Sequence, residues 1–382
     1  MQLIDDAWLD PEYIAPFAEK CFLLSGSAIF FTLSPITTLP VMILRFAASH
    51  LESKRFIHDT TLVEEKEVYD NTFTHMQWNI CGIKGGYDIE EGGQMPIRDD
   101  LLPFEEHRIS KIIEKILNED PDVLCLNELF DINDAIYLVG ALQNRYAHFV
   151  IQCGTRTLGI NSGIFFATKF GIQNINFTSF PKEMSVGNTK YAEKGFLTLK
   201  TYDCNGPIAK LILTHLQHSG EPEHPTFKEE FTRKQQLYMV LQEIDPYTDE
   251  NVVLSGDLNL DDVEFLKIDP LFYSLFKKTT DYATSINEEN KTWLGDQWYI
   301  EYGNKESTFS LLQPSTTSNK RKISNGINLD HVLVKICSDK SLTPEINTIL
   351  KSTGYNPKKL SRESLSDHMI LFSTITLKKS DI

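Results

Sequence analysis

Polar residues able to hold a cation or move a proton recur just past apolar runs along this chain. Asn79 follows His75-Met76-Gln77-Trp78, with Gly82 three residues on. Glu128 ends DVLCLNE, His215 sits in LILTHLQ, and Asp257 and Asn259 end VVLSGDLN. Asp330 opens DHVLV, and Asp367-His368 precede MILF. Each has an ordinary explanation when taken alone. Glu128 could form a surface ion pair, Asp257-Leu258-Asn259 an Asx turn, and Asp367-His368 a loop pair; His215 could be a satisfied core histidine. Their ordered conjunction is the signal, because strand ends of a rigid sheet present side chains to a common crevice.

Hydrolysis of a phosphoester is the chemistry that uses such a set. A hard cation such as Mg²⁺, with Mn²⁺ as a substitute, takes oxygen ligands of the kind Glu128, Asn79 and Asp367 offer. It would neutralise the phosphate and the leaving oxygen. His368 held by Asp330 is the natural pair to deprotonate water near neutral pH. Asp257, Asn259 and His215 would orient that water and hydrogen-bond the phosphoryl oxygens.

The elements that must position these groups follow from hydrophobic spacing. Ile109, Ile112, Ile113, Ile116 and Leu117 fall on one helical face, and Pro121 marks the end of that helix. Val123–Leu126 then reads as a buried strand. Leu237, Val240, Leu241 and Ile244 mark a second helix, followed by the strand Val252–Leu254. Ile208–Leu213 and Leu329–Val334 complete the scheme of strands. Strand–helix–strand order occurs in residues 73–170 and again in 196–376. The expected fold is therefore α/β, two packed mixed sheets with outer helices in a four-layer α/β/β/α sandwich. Residues 315–328 are polar and read as a loop. The aromatics Trp293, Trp298, Tyr299, Tyr302 and Phe309 suit the edge of such a sandwich better than a lipid interface.

The chain is 382 residues long, with 41% hydrophobic and 24% charged residues, enough for one large catalytic domain and an appendage. Its formal net charge of -16 disfavours a polyanion such as nucleic acid as partner. Its six cysteines have no close pair, which suggests neither a zinc site nor a disulfide framework. The first twenty residues are acidic, unlike a secretory signal. Residues 21–44 carry no charge, and as a helix would reach about 36 Å, enough for a bilayer. Pro35 and Pro40 count against one straight span; a kinked, re-entrant or interfacial segment fits as well, and a buried helix pair packed on the catalytic domain is the alternative. The expected organisation is an appendage over residues 1–72, with membrane-associated segment 21–44 and a linker over 45–72, then a catalytic domain over 73–382. Arg45, Lys54 and Arg55 would leave that domain on the cytoplasmic side; a soluble intracellular protein is the alternative. No obligate protein partner is expected.

The series WNICG, LCLNE, THLQ, SGDLN, LDHVLV and SDH resembles, in order, the motifs of the endonuclease/exonuclease/phosphatase superfamily. That resemblance covers about residues 73–376. It implies Glu128 as principal metal ligand with Asn79 assisting, His215, Asp257 and Asn259 around the phosphate, and an Asp330–His368 pair with Asp367 beside it. Asn127 stands where the family usually has Gln, and His331 where it often has Tyr. Within the superfamily, EKGFL, NSGIFFATK and THLQ are similar to neutral sphingomyelinases of the membrane-associated type, which implies substrate contacts from Lys194 and Asn161. Those enzymes pair an aspartate with the lysine of the Lys-Gly element in a lipid-controlled switch; Thr189 occupies that position here, so the switch is not expected. The resemblance thus implies hydrolysis of sphingomyelin or a related phospholipid. A nuclease or an inositol phosphate phosphatase is the enzymatic alternative, and an inactive membrane scaffold the non-enzymatic one.

Overall fold

In the computed structural model, the chain divides into two compact units, residues 1–53 with 156–158, and residues 54–155 with 159–382. The structure describes residues 55–66, 72–82, 108–154, 161–219, 225–244, 250–260, 330–335, 345–351, 368 and 370–376, together with Ile43. Apart from Ile43, the uncharged run 21–44 lies outside the described residues, as do residues 315–328, the aromatic stretch 293–309 and Asp367. Among the described residues no helix is long and apolar enough to cross a membrane.

The second unit holds strands β1 (Ile57–Thr60), β2 (Thr72–Asn79), β3 (Val123–Asn127), β4 (His148–Ile151), β5 (Phe165–Thr168) and β6 (Gly171–Ser179). These are followed by β7 (Gly195–Asp203), β8 (Gly206–His215), β9 (Val252–Asp257), β10 (Asp330–Lys335), β11 (Glu345–Lys351) and β12 (Ile370–Thr376). Helix α1 (Arg108–Glu119) joins β2 to β3, α2 (Ile132–Leu142) joins β3 to β4, and α3 (Phe227–Leu241) joins β8 to β9. One sheet runs β1-β4-β5-β3-β2-β12-β11, the other β10-β9-β8-β7-β6. The two helical crossovers β2–α1–β3 and β8–α3–β9 give the parallel pairings; the pairs made by the other strands are antiparallel.

Three apolar layers separate four layers of structure. Between the sheets lie Phe73, Val123, Cys125 and Phe166 against Leu197, Leu211, Leu213 and Val253. The period of two sends the alternate residues outward: Met76, Trp78, Leu124 and Leu126 meet Ile112, Ile116 and Leu138 of α1 and α2. Ile212 and Leu254 meet Leu237, Val240 and Leu241 of α3. This is the sandwich that the hydrophobic spacing predicts.

One expectation is corrected here. The stretch 45–72 is not linker throughout, because Ile57–Thr60 pairs with β4 as the edge strand of the larger sheet. All four of its side chains are exposed, so no hydrophobic alternation betrays it; backbone pairing with β4, joined by the His58–His148 contact, makes it a strand.

Candidate active site

The sequence motifs converge because β2, β3, β8 and β9 end at the same edge of the two sheets. Asn79 lies beside Asn127 in the parallel pair β2–β3, and His215 beside Asp257 in β8–β9. The sheets are stitched together beneath this edge by buried polar side chains. Gln77 Nε2 donates to Asn127 Oδ1 at 2.6 Å, and that oxygen also accepts from the Asp257 backbone N–H at 2.9 Å. Asn127 Nδ2 donates to Thr214 O at 3.3 Å, and Ser255 Oγ to Gln77 Oε1 at 3.2 Å. Asn127 thus fixes the register of one sheet against the other directly under the site.

Glu128 sits one residue beyond β3 with φ 66°, a left-handed conformation that turns its carboxylate out of the strand line. Gly82 and Gly163 permit it. A methyl at Gly82 would lie 2.3 Å from Glu128 O, and one at Gly163 3.0 Å from Glu128 Cα. Asn161 organises the same corner, donating to Phe130 O at 2.9 Å and accepting from Gly163 N–H at 2.6 Å. Asn79 Nδ2 bridges the carboxylates, donating to Glu128 Oε1 at 3.1 Å and Asp257 Oδ2 at 2.9 Å. Its Oδ1 accepts from Cys81 N–H at 3.0 Å, so in this state its amide serves the two acids.

His215 is buried with neither ring nitrogen hydrogen-bonded. Its Nε2 lies 3.8 Å from Glu128 Oε1 and 3.7 Å from Asp257 Oδ2. Burial, and then the positive charges of Lys194, His218 and His368, hold it well below the usual imidazole range, so the ring is neutral. On the other side of Asp257, His368 Nδ1 meets Asp330 Oδ2 at 2.7 Å. Two donor clusters result, Glu128–His215–Asp257 and Asp257–Asp330–His368, each with its atoms within 4.8 Å. Burial and the charge of Asp330 push the Asp257 carboxyl up to about 7, against the pull of His368, Asn79 and Lys194. Asn259, with φ 51°, donates its N–H to Asp257 Oδ1 at 2.9 Å. The Asx turn and the candidate site are therefore the same structure.

Lys194 is 4% exposed rather than a solvated lysine at a strand end. Its ammonium donates to Leu216 O. Burial lowers it to about 8, with Asp257 and Glu128 opposing and Arg233 adding to the fall. Thr189 and Val186 both donate to Gln217 Oε1, at 2.6 and 2.9 Å. Gln236 of α3 accepts from Gln217 N–H at 2.7 Å, and Arg233 donates to Ser219 Oγ at 2.6 Å. The loop after His215 is thus braced from both flanks. Sequence reasoning passes over these braces, as it does Gln77 and Ser255. The available signal is polar residues where periodicity demands apolar ones: Arg233 and Gln236 share the buried face of α3 with Leu237, Val240 and Leu241.

The donor set fits a hard divalent cation. Two carboxylates and a neutral imidazole whose ring nitrogens make no hydrogen bond converge on one volume, and burial together with the charge of Asp330 already drives one acid toward protonation. Glu128, Asp257 and His215 would hold the ion.

Comparison with known proteins agrees with this architecture. A curated relative, sphingomyelin phosphodiesterase 5 of Danio rerio, is 25% identical over 216 residues, covering 52% of this chain and 38% of the relative. The chain thus matches well under half of that relative's length. Among solved structures, SmcL superposes with a TM-score of 0.55 at 17% identity, over 80% of this chain and 99% of that one. Beta toxin of Staphylococcus aureus gives 0.51 at 17%, over 79% and 99%. Sphingomyelinase C of Streptomyces griseocarneus gives 0.50 at 16%, over 79% and 99%. These likenesses establish the fold. A profile of the Endonuclease/Exonuclease/phosphatase family matches residues 76–368, which include every described residue of the site, and the chain belongs to that family.

Proposed function

We propose that this chain is a divalent-metal-dependent phosphodiesterase that hydrolyses sphingomyelin or a related phospholipid at the head-group phosphate. The observation that carries the catalytic part is the His368–Asp330 pair at 2.7 Å beside a second acid cluster that shares Asp257. With Nδ1–H given to Asp330, the basic lone pair of His368 lies on Nε2, where it takes a proton from the attacking water. Asp257 and Asn259, locked to one another by the turn, orient that water and the phosphoryl oxygens. Neutral His215 would face the ion with Nε2, the nitrogen beside Glu128 and Asp257, and donate to the phosphoryl group through Nδ1–H. Lys194 adds positive charge close to Glu128 and Asp257 and holds the His215 loop in place. A bound Mg²⁺ would offset the charge that develops on the phosphate and the leaving oxygen. The lipid choice is supported by the Danio rerio relative and by the Lys194-Gly195 and Asn161–Lys169 elements.

The test is turnover with Mg²⁺ and with chelator on sphingomyelin vesicles, plasmid DNA and inositol phosphates. Metal-dependent release of phosphocholine from vesicles alone is expected. His368→Ala should lower it by about 10²–10⁴-fold, the usual share of a general base. Nicked plasmid with intact sphingomyelin would overturn the lipid reading, and a His368→Ala protein at the parent rate would overturn the mechanism.

A further inference from the structure

Helix α3 turns Thr232, Arg233, Gln236, Leu237, Val240 and Leu241 inward. Its outer face is where a water-exposed helix ordinarily places charges. Here it carries Phe227, 81% exposed, Phe231, 50%, and Tyr238, 51%. At roughly 100° per residue these positions and Lys234 fall within about 60° of arc, so they form one stripe. The Phe227 and Phe231 rings stack at 6.2 Å and 18°, making a single apolar plate. Lys228 and Lys234 are both exposed beside it. Glu229 is drawn into the capping box with Thr226, and Glu230 is half-buried at the stripe's edge.

We propose that the Phe227–Phe231–Tyr238 stripe docks on a bilayer surface containing anionic phospholipid, an inference that rests on the phospholipid reading of the site. Aromatic rings with a polar tip and long-stemmed ammonium groups are the side chains that settle at the boundary of acyl chains and head groups. Charge selects the orientation. A chain of net charge -16 is repelled by an anionic surface except where lysines gather. The stripe is also coupled to the site, since Gln236 and Arg233 on the opposite face of the helix hold the loop after His215. Three exposed rings fall short of the roughly 800 Å² per partner that a stable protein interface needs, which disfavours a second copy as occupant.

The experiment compares the full chain with Phe227→Ala/Phe231→Ala and Lys228→Glu/Lys234→Glu variants. Binding is measured by co-sedimentation with vesicles of sphingomyelin and phosphatidylcholine, with and without phosphatidylserine. Turnover is measured on the same vesicles and on water-soluble p-nitrophenyl phosphorylcholine. The aromatic variant should bind and hydrolyse vesicles about tenfold less well yet turn over the soluble ester within about twofold of the parent, as loss of apolar interfacial area predicts. The lysine variant should lose the response to phosphatidylserine, and Phe227→Trp/Phe231→Trp should restore vesicle binding. Unchanged vesicle affinity in the alanine variant overturns the docking face, as does an equal loss on the soluble ester. A parent dimer broken by the alanines with vesicle binding intact overturns it in favour of self-association. A parent that binds vesicles through the stripe but cleaves no phospholipid would overturn the substrate reading and leave the docking face standing.

Discussion

At the scale of single residues, the site depends on side chains that touch no substrate. Asn127 is the clearest case: its one amide serves Gln77, the Asp257 backbone and Thr214 at once. Asn127→Ala leaves at least two of those buried groups without partners, each costing about 1–3 kcal/mol. The expected outcome is a loss of about 3 kcal/mol in urea unfolding together with a drop in kcat, because Asp257 loses the hydrogen bond that fixes its backbone. A variant that loses stability but keeps kcat would show that Asn127 stitches the sheets without positioning the acid. The sequence displays Asn127 only as a departure from Gln. Its partner Gln77 in turn accepts from Ser255, 178 positions away, and nothing local reveals which inward polar residue meets which.

At the scale of elements, strand ends were legible because they are local. An apolar run bounded by a polar residue needs no tertiary information: Asn79, Glu128, His215, Asp257 and Asn259 follow such runs, and Asp330 and His368 precede them. The folding of Thr189 and Gln217 onto one another and the pairing of β1 were not legible, since both depend on partners distant in the chain. Glycines separate the two kinds of constraint. Gly256 pairs with Thr214 across β8–β9, and a Cβ there would lie 1.9 Å from Thr214 O at φ 151°. Gly187 has φ 63° and nothing within 4 Å of its notional Cβ. Gly256→Ala should therefore cost well over the roughly 1 kcal/mol that backbone strain alone costs at Gly187→Ala. Denaturant midpoints of the two variants decide it; equal midpoints would mean that β8 and β9 can separate enough to admit a methyl.

At the scale of the whole molecule, buried titratable groups tie stability to solution conditions. Burial holds His75 down to about 3 from 6.5. Between those values the unfolded chain binds a proton that the folded chain refuses. Stability from this source is complete above pH 6.5 and falls as the pH drops toward 3, by up to about 1.4 kcal/mol per pH unit. His75→Gln should flatten the acid limb of the stability curve by that slope, and an unaltered limb would assign the acid sensitivity elsewhere. The metal gives the opposite lever. Asp257 and Asp330 are nearly or fully buried, and Glu128 shares a cluster with Asp257. A cation bound only by the folded chain stabilises it by about 2.7 kcal/mol at a hundredfold excess over Kd. For a domain of this size that is roughly 3–5 °C in Tm. Mg²⁺ should produce such a rise at constant ionic strength, chelator should reverse it, and Glu128→Gln should remove most of it while leaving the unfolding transition cooperative. If Glu128→Gln kept the full rise, the stabilising cation would sit away from the Glu128–His215–Asp257 cluster, whatever the variant did to turnover.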